Sequence, residues 1–209
     1  MREAILAVVG FWVAICGGAG QAVAQDAQAG QSMPAAAMAA DKTSPSYDMK
    51  AQAVFDLQDM QKKYVGLAEA IPAEKYAWRP AAGVRSIGEL FLHISAANFN
   101  IPTMMGATAN PATKQKDYEK SMTDKAKIIE QVKQAFANAI SVTQAMSNAD
   151  FAKPEKKLGP DANDGDVIYL MVTHAHEHLG QAIAYARMNG VVPPWTAAAM
   201  KKDPKKPQD

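Results

Sequence analysis

Four stretches of the chain carry apolar residues at spacings of three and four, the period of a helix that buries one face. The first covers residues 47–70, with Val54, Leu57, Tyr64, Leu67 and Ile71 on one side and Pro72 closing it. The second opens at Ser86-Ile87-Gly88-Glu89, which has the form of a capping box, with Ser86 as N-cap and Glu89 three residues later. Its apolar face is Ile87, Leu90, Phe91, Ile94, Ala97 and Ile101, and Pro102 should kink or end it. The third covers residues 123–146 through Ile128, Val132, Phe136, Ala139 and Val142. The fourth follows the polar turn 161–166 and runs to Asn189, where Gly190 supplies a stop and Pro193-Pro194 should prevent resumption. No segment shows sustained period-two alternation with turn chemistry on both sides. The pattern predicts an all-α four-helix bundle over residues 47–195.

The ends read differently. Arg2 precedes an apolar run from Ala4 to about Ala19, and Ala22-Val23-Ala24 offers the small-residue pattern of a signal-peptidase site. The run is shorter than the ~20 residues of a spanning helix, so cleavage after Ala24 is favoured over a stable membrane anchor. Residues 1–24 are therefore expected to be a signal peptide, and the protein to be exported to the periplasm or secreted. Residues 25–46 are rich in Ala, Gln and Ser, with Met33 and Met38 their only large apolar residues, and read as a flexible leader. Residues 196–209, rich in Lys and Pro, read as a disordered, solvated tail. The only cysteine, Cys16, lies in the segment expected to be removed. The mature chain would then have no disulfide, no thiol nucleophile and no thiolate-bound metal.

Composition narrows the functional classes. The chain is 48% hydrophobic with a formal net charge of +1, as in a soluble globular protein. Nucleic-acid binding calls for a basic balance or stripe, and neither is present.

The four histidines carry the chemistry. His174, His176 and His178 fall close together in the fourth helix, and His93 lies in the second. Residues four apart on a helix share a face and residues two apart point nearly oppositely, so His174 and His178 stand together and His176 points away. Val167, Met171, His174, His178, Gln181, Tyr185 and Met188 follow at spacings of four and three, the form of a buried seam. Two imidazoles on such a seam need partners, because an unsatisfied buried polar group costs roughly 1–3 kcal/mol. A single core histidine is more often simply hydrogen-bonded, but a pair at i and i+4 with a third elsewhere favours a metal ion. His93 is the histidine left to complete the set, which makes His93, His174 and His178 the candidate ligands. His176-Glu177-His178 is not a zinc-protease motif, since Gly180 stands four residues after His176.

These residues also resemble a known family. Trp78-Arg79-Pro80, Gly83 and Ser86-Ile87-Gly88-Glu89-Leu90 leading to His93 look like the second-helix motif of the DinB/YfiT-like superfamily. His174, three intervening residues, His178 and Leu179-Gly180-Gln181 look like its second motif, with Tyr185, Arg187, Asn189-Gly190 and Pro193-Pro194 continuing the likeness. The resemblance implies a four-helix bundle, often a homodimer, with a divalent metal (zinc, nickel or manganese) held by three histidines. Matched motif to motif, those ligands are again His93, His174 and His178. Departures at three positions leave the triad intact but weaken any transfer of substrate contacts. Glu177 and Leu179 stand where the family often has His and Arg, and His176 takes a position usually filled by a small residue. Some members act with low-molecular-weight thiols, which belong to the cytosol, so that chemistry transfers poorly to an exported chain.

Three imidazoles leave a divalent ion its full charge and an open position, which makes hydrolysis or Lewis-acid-assisted transfer on a small molecule available. Glu89, Gln181 and Tyr185 could assist, although capping explains Glu89, an outer hydrogen bond explains Gln181 and core packing explains Tyr185. The alternative is a non-catalytic bundle that binds a metal or ligand, which a fourth protein ligand such as Glu89 or Glu177 would favour.

Overall fold

The structure is a computed structural model that describes residues 48–203. The expected signal peptide and leader, and the end of the tail, lie outside the described residues.

Five α-helices and no strand occur among the described residues. Helix α1 is Met49–Ala70, α2 Ile87–Asn100, α3 Lys125–Ala145, α4 Asp164–Met188 and α5 Pro194–Lys202. None of these helices is long and apolar enough to cross a membrane. Helices α1 and α2 each pack on both α3 and α4, so the order around the bundle is α1, α3, α2, α4. That order sets α2 against α4, the two helices that carry the histidines.

Local sequence explains the helix ends. The capping box at the start of α2 is formed on both sides: Ser86 Oγ accepts from the Glu89 amide, and Glu89 Oε2 accepts from the Ser86 amide. The start of α4 repeats the device with Asn163 and Asp166. Pro102 does end α2, and the chain continues as a 3-10 helix over Ile101–Met105. Gly190 takes a left-handed φ of 76° just past α4, where a side chain would be strained.

The core is built on three fully buried aromatic rings from three helices. Tyr64 of α1 meets Phe91 of α2 edge-on at 6.3 Å and Phe136 of α3 at 5.3 Å. Burying each such ring contributes about 1.5–3 kcal/mol. The Tyr64 hydroxyl donates to the Ala175 carbonyl of α4 at 2.8 Å, which fixes α1 against the stretch of α4 that carries the histidines.

Two expectations are corrected. Helix formation resumes at Pro194 and runs through Lys202, where a stop and then a disordered tail from residue 196 were expected. Proline at the first helical position has no amide to lose and already holds a helical φ, so Pro194 starts α5, with its ring facing the open side of Gly66 in α1. The buried face of α4 is also wider than the expected seam, and its centre lies to one side of the histidines. Val167, Met171 and Tyr185 of that seam are buried as expected and are joined by Ile168, Ala175, Leu179, Ala182 and Ala186, whereas Met188 is 64% exposed and His174, His178 and Gln181 sit half-buried on the flank. Small alanines in the stripe let α4 pack closely. The polar side chains are displaced to the edge facing α2, where His178 and Gln181 find hydrogen-bond partners.

Candidate metal centre

His93 reaches the site from α2, and His174 and His178 from consecutive turns of α4. Each offers a ring nitrogen, and the three nitrogens lie within 4.8 Å of one another. The ring centroids are 4.5–5.1 Å apart. Among the described residues no aspartate, glutamate or cysteine joins this group.

Two of the rings are held from behind. His93 Nδ1 lies 2.7 Å from Glu119 Oε1, and His178 Nδ1 lies 2.8 Å from Gln181 Oε1. A carboxylate or amide oxygen can only accept, so in a neutral ring the Nδ1 atom carries the proton and Nε2 is bare. The two Nε2 atoms face each other at 3.2 Å. His174 has no such support, and its buried Nδ1 has no hydrogen-bond partner.

Electrostatics favour the neutral ligand form. Burial lowers the His93 pKa against the opposing pull of Glu119. Burial, then the neighbouring His178 and His93, lower that of His174 to about 4. Burial works to raise the Glu119 pKa, but hydrogen bonds from Arg85 and His93 outweigh it and hold the carboxyl below its ordinary range.

The donor set fits a divalent ion. Bare imidazole nitrogens opposed at this distance repel unless a cation lies between them. Ligands of a tetrahedral ion with bonds of about 2.0–2.1 Å stand roughly 3.3 Å apart, close to the observed separation. His93, His174 and His178 are thus the residues that could hold a metal, and their half-buried positions leave a way in from solvent.

The other candidates fall as follows. His176 is exposed and takes no part in the cluster. Glu89 is engaged by its capping box and by Arg79 at 3.0 Å, and Glu177 is exposed. Gln181 supports His178 and donates to the Tyr185 hydroxyl at 2.9 Å. Trp78, from the connection between α1 and α2, packs edge-on against Tyr185 at 5.5 Å. Glu119 was not identified from the sequence. It sits in a short 3-10 helix of the α2–α3 connection, where no periodicity marks it.

Comparison with known proteins places the chain. The profile of the DinB superfamily matches residues 56–182, a span that includes all three clustered histidines. No curated protein matches. Among solved structures, a DinB-like protein from Bacillus cereus is similar over 70% of this chain and 93% of that one, with a TM-score of 0.58 and 17% identity. A likeness at that identity shows the fold alone. The all-α bundle and the matched span together establish that the chain belongs to the DinB superfamily.

Proposed function

We propose that this protein binds one divalent metal ion through His93, His174 and His178 and uses it in hydrolysis or group transfer on a small molecule. The observation that carries the reading is the opposed pair of Nε2 atoms at 3.2 Å, each backed by an acceptor on its Nδ1. Three imidazoles with no carboxylate suit zinc or nickel better than manganese, which prefers oxygen. When bound, such an ion supplies Lewis acidity toward a substrate or water oxygen.

The protein's own part is to present the three imidazoles in a fixed orientation. Glu119 and Gln181 hold two rings, and Gln181 is itself tied to Tyr185, on which Trp78 packs. Supporting catalysis over a purely structural ion, neither Glu89 nor Glu177 joins the cluster as a fourth ligand. The test is a screen of ester and thiol-transfer substrates on zinc- and nickel-loaded protein, with His93→Ala as control. Turnover by the parent and none by the variant is expected. Metal-loaded parent that is inert throughout would favour the non-catalytic bundle.

We also propose that the protein acts outside the cytoplasm, on the strength of the charged, apolar and small-residue segments within residues 1–24. N-terminal sequencing of the protein from its host should begin at Gln25, and a chain retaining Met1 would contradict export.

A further inference from the structure

We propose that Glu119 is a positioning residue for the three-histidine centre, fixing the tautomer of His93 so that its bare Nε2 faces His178. The consequence for metal affinity rests on the function proposed above, whereas the tautomer does not.

The turn that carries Glu119 is fixed in place. Residues 101–124 connect α2 and α3 through three short 3-10 helices, the last of which, Tyr118–Lys120, carries Glu119. Within it, Tyr118 is buried and its hydroxyl donates to Gln131 Oε1 of α3 at 3.0 Å. Just before it, Asp117 holds a left-handed φ of 57°. A non-glycine residue in that region costs of order 1–3 kcal/mol and persists only where the surroundings over-determine it. The next side chain after the buried tyrosine is Glu119.

Its carboxylate is then oriented from both sides. Arg85, in the turn leading into α2, donates from Nε to Oε2 at 2.6 Å and from a terminal nitrogen to Oε1 at 3.1 Å. A guanidinium fork of this kind fixes the plane of the carboxylate as well as its place. The same Oε1 lies 2.7 Å from His93 Nδ1. Accepting two hydrogen bonds from the Arg85 guanidinium, the carboxylate is held ionised and so can only accept from His93 as well. His93 must therefore donate through Nδ1, and its Nε2 is left bare.

An ordinary ion pair tying the loop to α2 would need only Arg85 and Glu119. The contact that such a role leaves unexplained is the short one to His93. Histidines that bind metals commonly donate their other nitrogen to a carboxylate in this way, and loss of the partner typically lowers metal affinity about 10- to 100-fold.

Nitrogen-15 NMR of the histidine rings in metal-free protein reads the tautomer directly, and competition with a chelator reads zinc affinity. In the parent, His93 should carry its proton on Nδ1. Glu119→Leu should move it to Nε2 and lower zinc affinity about 10- to 100-fold. Glu119→Gln, which keeps an acceptor oxygen, should retain the parent tautomer and more of the affinity. A parent His93 protonated on Nε2 overturns the proposal whether or not the variants fold. So does a Glu119→Leu protein whose His93 tautomer is unchanged. A parent with the expected tautomer that binds no zinc would instead sink the metal reading and leave the orientation of His93 standing.

Discussion

His93 and His178 present their Nε2 atoms to each other at 3.2 Å across the contact between α2 and α4. Each ring is braced by an oxygen on its far nitrogen, a charged one from a loop for His93 and a neutral one from the same helix for His178. The arrangement creates a concentration of lone pairs that the protein itself does not neutralise. His174 adds a third ring beside them. Bundle order makes this meeting possible, because α2 and α4 are neighbours although residues 101–163 separate them in sequence.

The neutral brace can be tested separately from the charged one. Gln181→Leu removes the acceptor behind His178, and zinc affinity measured against a chelator should fall about 10- to 100-fold. Tyr185→Phe removes only the hydroxyl that the Gln181 amide donates to at 2.9 Å, and should cost less. Unchanged affinity in Gln181→Leu would contradict a supporting role.

Ser86→Ala removes one half of the capping box that starts α2. Stability measured by urea unfolding should drop by about 1 kcal/mol, since an N-cap serine is worth roughly 0.5–2 kcal/mol over alanine. An unchanged midpoint would show that the cap does not hold the helix that carries His93.

Gly165 lies in the first turn of α4, where an added Cβ would stand 2.9 Å from Asn163 Oδ1 and 3.3 Å from the Phe151 carbonyl. Alanine is the better helix former by about 1 kcal/mol. The clash falls on the capping oxygen and on backbone that cannot swing aside, and overpacking of this kind costs about 1–3 kcal/mol. Gly165→Ala is therefore expected to be net destabilising in urea unfolding, and a more stable variant would contradict the local geometry.

Acid should weaken the metal-free fold through His174. Its folded pKa is lowered from 6.5 to about 4 by burial first and by His178 and His93 next. Below about pH 6.5 the unfolded chain takes up a proton at this ring and the folded chain does not, which favours unfolding. Stability is thus present above about 6.5 and is lost progressively as pH falls toward 4. His93, also lowered by burial, acts in the same direction. The drop in urea midpoint between pH 7.5 and pH 4.5 should be smaller in His174→Gln than in the parent. An equal drop would contradict the assignment.

How much of this was legible in the sequence depended on the range of the interaction. The start of α2 was readable because Ser86 and Glu89 satisfy each other within one turn. The pairing of His174 with His178 and the exclusion of His176 followed from helical spacing alone. The register of α4 was less legible. Alanine and histidine positions both fit a spacing of three and four, and tertiary packing chose Ala175 and Ala182 for the centre. Pro193-Pro194 carried two readings, and the structure takes the one in which Pro194 begins a helix. Glu119 could not be found at all, because a loop carboxylate meets His93 through backbone turns that no periodic pattern encodes.

The central claim is a metal held by three particular histidines, and elemental analysis of the purified full chain tests it most directly. The parent and His176→Ala should each carry about one divalent ion per chain, whereas His93→Ala, His174→Ala and His178→Ala should carry almost none. A parent without metal, or equal loss in the His176 variant, would contradict the account.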